Sequence, residues 1–261
     1  MDLGLEGRTA IVTGGSKGLG KAIAGELAAL GADVAIRARH GDELTAAAEE
    51  LRGTGRTVFA QVADVTVPDQ IRDFVARSAE ALGGGVDILV NNAGGARPGD
   101  FEVLTDQDWQ GDLDVKLFSM IRCIREVLPD MRVRGRGRII NINAVYGRYP
   151  DPAFFATSVN RAACLSFTKT LAIQLAPEGI LVNSVNIGFV VTPQWKRIHR
   201  LRAPHLPEEE FFARMAKAEV PLGRFGRPDE VSGIVAFLAG DRASYITGAS
   251  IDVAGGMGKY L

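Results

Sequence analysis

Cysteine is nearly absent from this chain of 261 residues: there are two, Cys123 and Cys164. Both lie in apolar helical patterns without redox or metal-ligand spacing, which excludes a disulfide scaffold and leaves buried free thiols of a reducing compartment. An excess of charge is missing too. Thirty Lys and Arg balance 31 Asp and Glu to a formal net charge of -1, so nothing draws the chain toward nucleic acid or an anionic membrane. The cluster Arg132, Arg134, Arg136, Arg138 reads as a solvated turn before a strand. No apolar run reaches the ~18 residues of a membrane span, and the N-terminus MDLGLEGRTAIVTGG has no basic segment leading into an apolar one. A soluble, unprocessed, cytoplasmic protein without a metal site is expected. Internal repeats, low-complexity tracts and compositional breaks are likewise lacking, so the chain reads as one domain with a full core.

What remains is a regular alternation. Short β-branched apolar runs at 9–13, 33–37, 57–61, 87–90, 138–142, 180–185 and 250–253 read as strands. Segments of helical period near 18–30, 42–52, 68–82, 106–134, 158–176 and 228–239 lie between them. Continuous runs such as DILV and RIINI suit strands buried on both faces, and strict alternation with helices implies right-handed crossovers in a parallel sheet. The expected fold is an α/β doubly wound parallel sheet of the Rossmann type. The least regular stretch, 192–221, is rich in Pro, Arg and Glu and is a candidate substrate loop or lid.

The first strand runs into TGGSKGLG at 13–20 and then into a helix. Glycines here permit left-handed turns and let the backbone approach a pyrophosphate resting on the helix N-terminus. Gly14, Ser16, Lys17, Gly18, Leu19 and Gly20 are therefore candidate cofactor-binding residues. A site for an unphosphorylated ribose usually ends the second strand with a carboxylate, but here Ala38 and Arg39 stand at that end. Arg39 and Lys17 together suit a 2′-phosphate, so NADP(H) is expected over NAD(H).

With these residues the chain resembles the short-chain dehydrogenase/reductases from about Gly7 to Gly256. The motifs are TGGSKGLG, Asp64-Val65, Asn91-Asn92-Ala93-Gly94, ILVNSVN at 180–186, GRPDEV at 226–231 and YITGASIDVAGG at 245–256. By resemblance, Asp64 and Val65 border the adenine, Asn91, Ala93 and Gly94 line the cofactor cleft, and Thr192 meets the nicotinamide carboxamide. The resemblance also implies a homo-oligomer. Helices 106–134 and 158–176 would form a dimer face, and the C-terminal GMGKYL would complete a tetramer.

The family's catalytic Asn, Ser, Tyr and Lys do not appear. Their positions correspond to Lys116, Ala144, Thr157 and Arg161. Tyr146 and Tyr149 have Pro150 and Ala153 four residues on, so neither has a Lys one helical turn away. Thr157 is short and a weak acid, and Arg161 can grip a ribose but cannot release its proton at neutral pH. Lys116, if buried beside Arg161, would have its pKa lowered and become the best remaining acid. If it instead points outward or pairs with Asp112 or Asp114, it has no such role. Lys116 and Arg161, with Lys196, Arg197, His199, Arg200 and Arg202, would also favour an anionic substrate such as a carboxylate or acyl thioester, unless those bases face solvent. Two functions stay open: an NADP(H)-dependent oxidoreductase acting on a small carbonyl or alcohol through a non-standard site, or an inactive relative that senses the cofactor or acts as a scaffold.

Overall fold

β-Branched apolar runs build the centre of the sheet, and the computed structural model describes residues 2–258. The strands Thr9–Thr13 (β1) and Ile88–Asn91 (β4) are buried at every position, as strands covered on both faces must be. Around them lie Asp33–Ala38 (β2), Val58–Val62 (β3), Gly137–Ala144 (β5), Ile180–Ile187 (β6) and Ser250–Val253 (β7). The order is β3-β2-β1-β4-β5-β6-β7, and every neighbouring pair is parallel. This is one α/β domain with a seven-stranded, doubly wound Rossmann sheet. The winding reverses between β1 and β4, which opens a crevice at the carboxyl ends of the strands.

Helices cover both faces. Gly18–Ala29 (α1), Gly41–Arg52 (α2) and Pro228–Ala239 (α9) cover one, with Ile23, Leu27, Val231 and Val235 in a common core. Pro68–Ala81 (α3), Ser119–Arg134 (α5) and Phe155–Leu175 (α6) cover the other, around Phe74, Ile124, Met131 and Leu175. A third cluster, dominated by aromatics, joins Phe189, Trp195, Phe211 and Phe225 beside the crevice.

Two segments differ from the sequence expectation. The helical pattern at 106–134 is not one helix. Asp106–Leu113 (α4) starts on a reciprocal capping box of Thr105 and Asp108, and Asp114–Phe118 then forms a π-helical turn before α5. One extra residue in a turn barely disturbs an amphipathic pattern but rotates the helix beyond it, and such turns concentrate at functional sites. Residues 192–221, irregular by composition, fold as Pro193–Arg202 (α7) and Glu208–Glu219 (α8). Proline at the first turn of α7 and three glutamates in the first turn of α8 are start signals for helices, hidden by the high charge of both. Of the C-terminal GMGKYL, residues 259–261 lie outside the described part.

Candidate active site

The crevice encloses a cavity of about 420 Å³ that runs from the glycine loop to α7. Its floor is tied together by Thr13, whose hydroxyl accepts the N–H groups of Asn92 at 2.9 Å and Ala93 at 3.0 Å. The Asn92 amide in turn donates to the carbonyls of Thr13 at 2.9 Å and Gly14 at 3.3 Å. Gly14 and Gly20 show why the loop needs glycine. Gly14 has φ of +71°, and a Cβ on Gly20 would lie 2.2 Å from the Gly14 carbonyl oxygen. Among the described residues no side chain caps the N-terminus of α1, so its first N–H groups and its positive dipole end are left for an anion. These features fit the pyrophosphate of a dinucleotide.

Gly14, Ser16, Lys17, Gly18, Leu19 and Gly20 all line this cavity. So do Arg39, Asp64, Val65, Ala93, Gly94 and Thr192. Asn91 does not, which corrects the expectation from the resemblance: its amide donates to the Asn141 side chain at 2.9 Å inside the sheet. Its neighbour Asn92 takes the place at the cavity wall, because successive side chains of a strand end point to opposite faces. Lys17 reaches Glu43 at 2.6 Å, an exposed pair of the kind that exchanges partners cheaply. Arg37 was not foreseen. It is 3% exposed, lines the cavity, bonds the Ala63 carbonyl and keeps its Nε without a partner. Burial lowers its pKa to about 10. A charged residue inside the apolar run DVAIRA was the available signal.

At the other end, Ala144 closes β5 and offers only a methyl group. Arg161, buried in α6, lines the cavity and donates from Nη1 to the Ile142 carbonyl at 2.8 Å, while its Nε has no partner. Burial lowers its pKa. Thr157, one turn earlier on α6, also lines the cavity and is 2% exposed. Its hydroxyl accepts the Arg97 N–H at 3.1 Å and the Lys116 ammonium at 2.9 Å.

Lys116 is brought to this end of the site but does not reach the cavity itself. The π-helical turn aims it inward, where it is 1% exposed and donates to Asp112 at 2.5 Å as well as to Thr157. The other oxygen of Asp112 accepts the Asn160 amide at 2.9 Å. Burial, reinforced by the positive charge of Arg161, lowers the Lys116 pKa to about 8 against the opposing pull of Asp112. The inward orientation and the pairing with Asp112, posed by the sequence as alternatives, therefore occur together.

Among the described residues no tyrosine hydroxyl hydrogen-bonds a lysine. Tyr146 lines the cavity stacked on Phe154, with ring centroids 5.0 Å apart, and burial pushes its pKa up. Tyr149 donates weakly to Asp252 at 3.5 Å, and Tyr245 is fully exposed. The cationic substrate wall expected from the 192–221 segment is not formed. None of Lys196, Arg197, His199, Arg200 or Arg202 lines the cavity; Lys196 faces Glu208 at 3.4 Å and His199 contacts the Leu206 carbonyl at 2.8 Å. The start of α7 supplies Pro193, Gln194 and Trp195 instead, and Gln194 accepts the Ala96 N–H at 3.1 Å.

The chain belongs to the short-chain dehydrogenase/reductase family: residues 14–258 match the family model described as enoyl-(acyl carrier protein) reductase. Among curated relatives, the oxidoreductase UcpA of Salmonella typhimurium is 39% identical over 253 residues, covering 97% of this chain and 95% of the relative. Among solved structures, L-sorbose reductase of Gluconobacter frateurii in complex with NADPH and L-sorbose superposes with a TM-score of 0.96, at 34% identity over 100% of both chains. An NADPH-bound short-chain oxidoreductase of Pseudomonas aeruginosa PAO1 with an atypical catalytic centre gives a TM-score of 0.91 and 37% identity, over 97% of this chain and 98% of that one. No helix among the described residues is long and apolar enough to cross a membrane, and no described cluster of His, Cys, Asp or Glu could hold a metal.

Proposed function

We propose that this chain is an NADP(H)-dependent carbonyl reductase with a non-standard catalytic group. The observation that carries it is the convergence of Arg37, Arg39 and Lys17 on the adenosine end of a cavity whose other end presents the Thr157 hydroxyl. Basic groups on both sides of the ribose suit a 2′-phosphate, and no carboxylate occupies Ala38. NADPH bound to similar proteins supports the same cofactor here. The glycine loop and the free N–H groups of α1 would hold the pyrophosphate, and Arg161 would hold the nicotinamide ribose. When bound, the reduced nicotinamide supplies a hydride.

The substrate end is walled by Ala144, Val145, Tyr146, Phe154, Phe189 and Trp195. That wall favours an uncharged, apolar carbonyl compound over the carboxylate or acyl thioester implied by Lys116 and Arg161 with the basic residues of 192–221, of which only Arg161 lines the cavity. A homo-oligomer is part of the same proposal, since α5 and α6 leave Val133, Val159 and Ile173 exposed. So is a cytoplasmic setting, which suits two buried free thiols.

The test is a fluorescence titration with NADPH and NADH, followed by a panel of apolar ketones and aldehydes monitored through nicotinamide absorbance. At least tenfold tighter binding of NADPH is expected, with that margin lost in Arg39→Ala. Tenfold preference for NADH would overturn the cofactor assignment. The missing hydroxyl at Ala144 favours a second reading, a cofactor sensor, which would bind NADPH and reduce nothing in the panel.

A further inference from the structure

The proton that a carbonyl reductase must deliver has an unassigned source here, and a buried chain of polar groups leads to the cavity at Thr157. It runs from Asn160 to Asp112, from Asp112 to Lys116, and from Lys116 to Thr157, with successive contacts of 2.9, 2.5 and 2.9 Å. Asp112, Lys116, Thr157 and Asn160 are all buried, and of the four only Thr157 lines the cavity. The Thr157 oxygen already accepts two hydrogen bonds, from Arg97 N–H and Lys116 Nζ. Among the described residues its own hydrogen has one acceptor in reach, the Arg97 carbonyl at 3.4 Å, a distance at which little is gained. The hydroxyl proton is thus available to a ligand atom in the cavity.

We propose that Thr157 is the group that protonates the substrate oxygen, that Lys116 resupplies its proton, and that Asp112 and Asn160 are positioning residues for Lys116. This rests on the reading of the chain as a reductase. As hydride reaches the carbonyl carbon, the C=O π pair moves onto oxygen; that oxygen bonds the Thr157 hydrogen, and the Thr157 oxygen takes a proton from Lys116 Nζ. The carbonyl compound is reduced by two electrons, the nicotinamide is oxidised by two, and Lys116 is left as a neutral amine. Water entering after product release returns a proton through the same hydroxyl. A threonine alcohol is far too weak an acid to act alone, and a short bond to an ammonium removes the difficulty, because its oxygen never has to carry a full negative charge. Arg161 alongside cannot replace Lys116, since it keeps its proton.

The groups facing the ammonium are few. α4 contributes Asp112, and α6 contributes Thr157, Arg161 and Cys164. On the π-helical turn and α5, Asp114 and Arg122 pair with each other at 3.5 Å. The burial of Lys116 and the charge of Arg161 hold its pKa near 8, close to a working pH, as a proton donor requires.

The experiment has two arms. In the absence of cofactor, the ε-carbon of Lys116 is followed by NMR in 13C-lysine-labelled protein through a pH series. The amine is expected to titrate near pH 8 and to titrate lower in Asp112→Asn, because the carboxylate raises it. With NADPH and a substrate from the panel, Thr157→Val is expected to lower kcat by about 10²–10⁴-fold, the usual range for a lost general acid, while Thr157→Ser stays within tenfold of wild type. Lys116→Met is expected to lower kcat similarly and to remove the fall of rate above pH 8 expected of wild type. NADPH affinity should hold within threefold in every variant, and circular dichroism identifies any that fails to fold. Wild-type turnover in Thr157→Val overturns the relay and leaves the reductase reading intact. Tight NADPH binding by wild type with no substrate reduced overturns both.

Discussion

Raising the pH should strengthen this fold over a range where most proteins weaken, and the cause is one side chain. Lys116 has an ordinary pKa of 10.5 when unfolded and about 8 in the fold, lowered first by burial and then by Arg161. Below pH 8 the group is charged in both states, and the full cost of burying the ammonium is present. Between pH 8 and 10.5 the unfolded chain holds a proton that the folded chain has lost, so unfolding takes up protons and stability rises with pH. At 1.36 kcal/mol per unit, the gain amounts to about 3 kcal/mol across that window. Lys116→Met removes the titration. At pH 7 it leaves the Asp112 carboxylate with only the Asn160 amide, at a cost of about 3–5 kcal/mol for an uncompensated buried charge. Urea unfolding of both proteins at intervals from pH 7 to 10.5 separates the effects, because other groups titrate alike in the two. The stability of wild type relative to Lys116→Met should grow by about 3 kcal/mol. A difference that stays flat with pH would refute the assigned burial and charge environment of Lys116.

Two substitutions test the geometry of the cofactor end. Gly20→Ala places a methyl group 2.2 Å from the Gly14 carbonyl and 2.5 Å from the Asn92 amide, so NADPH binding should fall below detection in a titration while circular dichroism keeps its helical signal. Asn91→Ala should do the opposite. It leaves the Asn141 side-chain oxygen Oδ1 without its donor, lowering stability in urea by about 1–3 kcal/mol, while NADPH affinity stays within threefold because Asn91 does not line the cavity.

Much of the fold was legible in one dimension. Residues 87–90 and 138–142, read as strands from their apolar runs, lie within or one residue from β4, Ile88–Asn91, and β5, Gly137–Ala144. The glycine loop was legible for a similar reason, since its chemistry depends on backbone and on neighbours a few positions apart. The end of the cavity around Thr157 was legible only as residue identities, without their arrangement. That Lys116 turns inward depends on a π-helical turn between α4 and α5, and five residues of altered winding leave no mark on a helical period. Asn91 and Asn92 could not be told apart without the register of β4 against β1 and β5. The basic run from Lys196 to Arg202 looked like a substrate wall, yet α7 presents Gln194 and Trp195 to the cavity and turns its charges away.

The amino-acid sequence alone therefore determined the alternation of strands and helices and the glycine loop that joins β1 to α1 at the cavity, because local apolar period, glycine and residue identity need no partner to be read. Tertiary structure alone decided that a lysine on one helix meets a threonine 41 positions away and a carboxylate four positions back, with Arg161 close enough to oppose its charge. A side chain's acidity is set by what excludes water from it and which charges lie within a few ångströms, and those are properties of packing.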